Sequence, residues 1–156
     1  MKILVFSDSH GDTAALLAAA MAESPDMILH LGDYSSDCGV IRSSFPETPL
    51  KTVKGNGDRF SRTSERAEFI AEGKRVMMTH GHLYRVKTGL TAVLYAAEEA
   101  GADILLFGHT HVPMCEEIGG MLVINPGAAG RGAKTYAVLK IEHGAASCEI
   151  KELSGL

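Results

Sequence analysis

Met1-Lys2-Ile3-Leu4-Val5-Phe6-Ser7-Asp8-Ser9-His10-Gly11 is the stretch on which the fold turns. Its run Lys2-Ile3-Leu4-Val5-Phe6 is rich in strand formers, and an unbroken apolar run marks a strand covered on both faces, as in a parallel sheet. The polar segment that follows stands at the strand's carboxyl end, where open α/β sheets place ligands. Asp8 and His10 are two apart, so in extended geometry their side chains leave the same face. A carboxylate and an imidazole at that spacing can grip one cation. A single Asp-x-His is common by chance, but this chain repeats the device four more times.

Working outward, Asp12 or Gly11 caps a predicted helix, Thr13 to Glu23, which Ser24-Pro25 stops. Asp26 to Leu31 is a second buried strand ending in Gly32-Asp33, so the opening is a βαβ unit with a right-handed crossover. Residues 34–49 read as a loop with at most one short helix around Gly39 to Ser44. Leu50 to Lys54 is a third strand, closed by Gly55-Asn56-Gly57-Asp58. Ala67 to Ala71 and Lys74 to Thr79 flank Glu72-Gly73 as a hairpin, whose second strand delivers His80-Gly81-His82. A helix capped by Thr88 runs to Ala100, and the apolar strand Asp103 to Phe107 delivers Gly108-His109-Thr110-His111. Beyond it, Val112–Ile118, Met121–Ile124, Thr135–Ile141 and Ala145–Leu153 predict an antiparallel meander with turns at Gly119-Gly120 and His143-Gly144.

Size and composition set the frame. A chain of 156 residues, 46% hydrophobic and 22% charged, predicts one globular domain spanning residues 1–156. No apolar run approaches the roughly 20 residues that cross a bilayer, and the N-terminus lacks a signal-peptide pattern, so a cytoplasmic protein is expected. Cys38, Cys115 and Cys148 are odd in number without CxxC spacing and read as reduced thiols. The net charge of −4 argues against stable nucleic-acid binding, yet not against a phosphate-ester substrate drawn by a local cation. Homo-oligomer formation is compatible with this composition.

Asp8, His10, Asp33, Asn56, His80, His82, His109 and His111 all follow predicted strands. Parallel neighbouring strands would bring those ends to one edge, and imidazole with carboxylate oxygen suits divalent Mn, Fe, Ni, Co or Zn. There are more ligands than one ion takes, so the set points to two cations about 3.5–4 Å apart, bridged by a carboxylate. The turn-and-cap reading that would serve for any one Gly-Asp does not serve for the ordered set. His30, inside a buried strand, reads as a hydrogen-bonded core histidine or a partner beside Asp33, and His143 as solvated.

The ordered set Asp8-Ser9-His10, Gly32-Asp33, Gly55-Asn56, His80-Gly81-His82 and Gly108-His109-Thr110-His111 resembles the calcineurin-like metallophosphoesterases. It is most similar to their short bacterial and archaeal phosphodiesterases, the branch that includes the retromer subunit Vps29. Asn125-Pro126-Gly127 resembles that branch's Asn-Pro-Gly-Ser turn, with Ala128 in place of serine. The resemblance implies a four-layer α-β-β-α sandwich with a dinuclear site at the sheet edge. It implies one metal on Asp8, His10, Asp33 and His111, and another on Asp33, Asn56, His80 and His109, with Asp33 bridging. Asp33, Asn56, His80 and His109 would also carry the catalysis, with a metal-bridging hydroxide attacking phosphorus in line and manganese the first choice of ion.

The same resemblance leaves open a phosphomonoesterase or nucleotidase, and a non-catalytic binding scaffold like Vps29. Gly57 stands where many relatives carry a histidine that assists the leaving group. A general acid contributes roughly 10²–10⁴-fold, so its loss favours esters with good leaving groups, unless Asp58 or His82 takes the role. Arg131, in the loop after Asn125-Pro126-Gly127, stands as a candidate phosphate contact beside a basic scatter of Lys51, Lys54, Arg59, Arg62 and Arg66.

Overall fold

In a computed structural model of the chain, which describes residues 1–153, strand β1 (Lys2–Phe6) is buried on both faces. Ile3 and Val5 point into one apolar layer while Leu4 and Phe6 point into another, the period-two alternation of an extended chain. The other elements are arranged around that double burial. They are α1 (Thr13–Glu23), β2 (Met27–His30), α2 (Cys38–Ser44), β3 (Leu50–Thr52), β4 (Arg66–Ala71) and β5 (Lys74–Thr79). There follow α3 (Thr91–Glu99), β6 (Ile104–Leu106), β7 (Met114–Ile118), β8 (Met121–Asn125), β9 (Thr135–Glu142) and β10 (Ala145–Glu152).

Two five-stranded sheets result, in the orders β10-β9-β1-β2-β3 and β4-β5-β6-β8-β7. Ile3, Val5 and Leu29 of the first meet Val76, Met78, Ile104 and Leu106 of the second in the central layer. Leu4, Phe6 and Ile28 pack outward on Leu16, Ala19, Ala20 and Ile41 of α1 and α2. Met77, Leu105 and Val123 pack on Val93 and Ala97 of α3. The architecture is the expected α-β-β-α sandwich. Among the described residues no helix is long and apolar enough to cross a membrane.

The strands after His111 form the two expected antiparallel hairpins, β7 with β8 and β9 with β10, but not one continuous meander. β8 runs parallel to β6, with Leu105 opposite Val123, whereas β9 crosses to the other sheet and pairs antiparallel with β1, Leu4 opposite Val138. Alternation reports that a segment is a strand but not which distant strand it joins. The predicted cap of α3 also moves: Thr88 spends its hydroxyl on the Arg85 carbonyl at 2.9 Å, and Leu90 precedes the helix instead. Asp12 does cap α1, accepting from the Ala15 amide.

The consequence for function lies in direction. β1, β2 and β3 are mutually parallel, and so are β5, β6 and β8. Their carboxyl ends carry the loops at residues 7–11, 31–34, 53–58, 80–82, 107–111 and 125–130.

Candidate metal centre

Five of the candidate ligands sit in the left-handed backbone region: Asp8 at φ 52°, His10 at 49°, Asp33 at 56°, His109 at 69° and His111 at 62°. Non-glycine residues adopt this region rarely and at a cost, with Asp and His among the more tolerant, and such residues gather at functional sites. The sharp reversal after each strand turns the side chain back over the sheet edge instead of letting it follow the chain. Close approach then demands glycine beside them. A Cβ on Gly55 would stand 2.2 Å from Asp33 Oδ1, and one on Gly108 2.1 Å from Ser7 Oγ.

The ligand atoms fall into two groups. Asp8, His10 and His111 form one, and Asp33, His80 and His109 the other, each with its donor atoms within 4.8 Å of one another. The two groups adjoin, Asp8 Oδ1 lying 3.1 Å from His111 Nε2 and 3.9 Å from His80 Nε2. Asn56 joins the second group, its Oδ1 3.1 Å from His80 Nε2. Asp33 Oδ2 is 3.6 Å from the same nitrogen, and its Oδ1 accepts from the Gly57 amide at 2.8 Å.

The proton positions make this a cation's environment. His80 Nδ1 is 2.9 Å from the Leu31 carbonyl, which can only accept, so Nδ1 carries a proton and Nε2 is the nitrogen turned into the cluster, where its lone pair would serve a cation. That lone pair meets Asn56 Oδ1, another acceptor, and His109 Nδ1 at 3.1 Å. Both ring nitrogens of His10, and Nδ1 of His82, are buried without a hydrogen-bond partner. Buried polar atoms are paired in the great majority of cases, so orphans clustered on acceptors indicate a missing positive partner. The donor set of carboxylate, imidazole and amide oxygen fits divalent cations of the Mn-to-Zn series.

The electrostatics keep the ligands ready. Burial lowers His109 to about 4, helped by the neighbouring His80 and Lys87. Burial also lowers His10, and the charge of Arg131 presses in the same direction. Both rings are therefore neutral at pH 7, as metal ligation requires.

Behind the ligands stands a layer of acceptors that hold the loops. Asp58 Oδ2 accepts from the amides of Asp33 and Gly55, both at 2.8 Å, and Oδ1 from that of Ser35 at 3.0 Å. With three backbone donors committed to it, this carboxylate is a fastener between two loops and not the proton donor that sequence allowed it to be. His30 accepts from the Gly32 amide through Nδ1, so its Nε2 proton faces Ser9 Oγ at 2.9 Å. Ser9 in turn donates to Asp37 Oδ2 at 2.7 Å, which also takes the Gly11 amide. Asn125 donates to the Gly108 carbonyl and to Thr110 Oγ1 and accepts from the Gly127 amide, tying the β6 and β8 loops together.

Of the expected residues, all seven proposed ligands stand at this edge, and His82 joins them, its ring centre 5.5 Å from that of His80. His30 is a core histidine hydrogen-bonded behind Asp8 and His10, and His143 is exposed. Asp37, Asn125 in its bonding role and the fastening by Asp58 were not legible in advance. Each depends on a second loop coming from a distant strand.

Residues 1–144 match the calcineurin-like phosphoesterase superfamily domain. The chain belongs to that superfamily. It is 33% identical over 162 aligned residues to the probable metallophosphoesterase YsnB of Bacillus subtilis, covering 99% of this chain and 93% of the relative. Phosphodiesterase YfcE of Escherichia coli is 28% identical, with 89% of this chain and 87% of that protein covered. The crystal structure of a predicted phosphoesterase from Streptococcus pneumoniae superimposes with a TM-score of 0.79 at 29% identity, over 97% of this chain and 89% of that one. As a phosphoesterase-type hydrolase, the chain takes phosphate esters as its substrate class and a divalent metal as its cofactor.

Proposed function

We propose that the chain is a phosphodiesterase that works as one domain with two divalent cations, manganese first among them. Asp8, His10, Asp33 and His111 would hold one ion, and Asp33, Asn56, His80 and His109 the other. The observation that supports this most is the unpaired state of His10 together with the lone pair of His80 turned onto an acceptor. Bound there, the cations would supply charge against the phosphoryl oxygens and acidify a coordinated water.

The chain's own groups divide the remaining work. Asn56, with Oδ1 toward His80, has its Nδ2 amide to donate to a phosphoryl oxygen as charge grows there. His80 is held in one tautomer by Leu31, so its orientation is set before any substrate arrives. Arg131 is exposed at the His10 side and Lys87 at the His109 side, and both draw an anionic substrate toward the edge. Gly57 offers no leaving-group acid and Asp58 is engaged by backbone amides, which leaves only His82, lowered by burial and so largely unprotonated at neutral pH. The reading therefore favours diesters whose leaving group departs without help.

Replacing Asp33 with asparagine is the direct test. The expected result is loss of bis(p-nitrophenyl) phosphate hydrolysis together with weaker loading of both metals, read by elemental analysis. Undiminished turnover in Asp33→Asn would refute the bridging role. Running p-nitrophenyl phosphate beside the diester decides between diesterase and monoesterase.

A further inference from the structure

A cleft of about 440 Å³ opens next to the metal centre, walled by two loops that each begin at a proposed ligand. One follows Asp33 and brings in Arg42 from α2, and the other follows Asn56 and brings in Gly57, Arg59, Phe60, Ser61, Thr63 and Asp58, whose carboxylate is taken up by three backbone amides. Gly57 is the doorway. Its amide donates to Asp33 Oδ1, and a Cβ built on it would stand 3.1 Å from that oxygen. A side chain here would start against the Asp33 carboxylate, in the space between it and the cleft. Glycine leaves that space open.

The lining has the chemistry of a nucleotide. Arg42 and Arg59 are exposed and make no ion pair or hydrogen bond among the described residues, so both guanidiniums are available to a phosphate. Phe60 stands at the cleft's rim, 99% exposed, where its ring is free to close on an occupant's base. Ser61 and Thr63 place paired hydroxyls 2.9 Å apart beside it, partners for ribose oxygens. A lone exposed phenylalanine needs no explanation. One that shares a concave site with two unpaired arginines, four residues after the proposed ligand Asn56, does.

The empty position at Gly57 and the engaged Asp58 leave little help for a poor leaving group, which narrows the class further. A nucleoside leaving through its sugar oxygen departs as an alkoxide and needs a proton. A nucleoside monophosphate leaving from a phosphoanhydride does not, and its phosphate is the group that the two arginines of the neighbouring cleft would hold. We propose that this cleft is a leaving-group subsite for a nucleoside monophosphate, and that the enzyme's substrates are nucleotides joined through a phosphoanhydride. This rests on the metal-dependent hydrolase reading above. In the reaction one water is consumed: its oxygen bonds to the phosphorus at the metal centre and the P–O bond of the anhydride breaks. The bridging oxygen leaves on the nucleotide in the cleft as a phosphate oxygen, and the water's protons pass to products and solvent.

The experiment compares P1,P2-di(adenosine-5′) diphosphate with adenylyl-(3′→5′)-adenosine on the manganese-loaded protein, with bis(p-nitrophenyl) phosphate as reference. The diphosphate should be cleaved to two AMP with a kcat/KM about 10²-fold or more above the dinucleoside monophosphate, since the missing acid penalises only the latter. Arg42→Gln with Arg59→Gln should lower the ratio of diphosphate to aryl diester turnover roughly tenfold, through loss of charged hydrogen bonds. A second readout needs no metal: AMP titrated into the metal-free protein should shift the Phe60 ring signals in NMR, and adenosine should do so far less. If the aryl diester is hydrolysed but the diphosphate is no better than the dinucleoside monophosphate, or AMP leaves Phe60 unmoved, the subsite is overturned and the phosphodiesterase reading stands. If neither aryl diester nor diphosphate is cleaved with any divalent metal, the phosphodiesterase reading falls and the subsite with it.

Discussion

Two histidines at the same sheet edge have opposite surroundings. His30, at the end of β2, has both ring nitrogens paired, one to the Gly32 amide and one to Ser9. His10, at the end of β1, has neither paired. The ring nitrogens of both are buried, although His30 closes strand β2 and His10 stands half-buried in the loop after β1. A closed network like that of His30, Ser9 and Asp37 fixes geometry, whereas an open set like that of Asp8, His10 and His111 is built to receive something. A buried imidazole alone does not say which kind it is; its partner list does.

The largest effect that separates the two concerns His10→Ala. This change should reduce aryl diester turnover by roughly 10²-fold or more, the scale of losing one electrostatic contact to the transition state. Metal-free stability should stay within about 0.5 kcal/mol, because the variant removes an unsatisfied polar group instead of a satisfied one. Chemical denaturation without metal, paired with steady-state kinetics, reads both. A large stability loss in the metal-free protein would place His10 in the scaffold.

His30→Ala should behave in the other direction. Removing a fully buried ring and stranding the Gly32 amide and Ser9 is expected to cost about 2–4 kcal/mol in the same denaturation series. Its effect on activity should be the 10–100-fold or so that follows loosening of groups behind a metal ligand. Equal stability of His30→Ala and the native chain would erase the distinction between the closed and open clusters.

Acid sharpens the same contrast. Burial holds folded His30 at about 4, below its ordinary 6.5, so on acidification the unfolded chain takes up the proton first. Its contribution is intact above pH 6.5, is lost progressively down to about pH 4 and falls no further, a total of about 3 kcal/mol. His10 and His109 are lowered as well and add to the acid sensitivity of the metal-free protein. Denaturation at pH 7 and pH 5 should therefore show a loss that His30→Gln diminishes. An identical loss in the variant would remove His30 as its source.

The smallest expected effect is at Asp58. Asp58→Asn keeps one acceptor oxygen for three backbone donors and should cost about 1–3 kcal/mol. Turnover should drop without change in the shape of the pH–rate profile. Disappearance of an ionisation from that profile would restore Asp58 as a proton donor.

How much of this could be read from residues alone depended on range. The β1-α1-β2 opening was legible because an apolar run, a strong helix former and Ser24-Pro25 act locally. The convergence of Asp8, Asp33, His80 and His109 was legible too, because parallel strands put like ends together whatever their order. The partition of β7 to β10 between two sheets was not, since Leu4 meets Val138 across most of the chain and no periodicity names that partner. Nor was the division between ligand and fastener: Asp33 and Asp58 both follow glycine and look alike in sequence. Only the amides that reach Asp58 from the neighbouring loop tell them apart.

Metal content tests the central claim most directly. Protein purified without chelators, equilibrated with manganese and desalted, should hold two ions per chain by elemental analysis, and His10→Ala should hold one. Less than one ion per native chain, or an unchanged content in His10→Ala, would contradict the paired-cation centre.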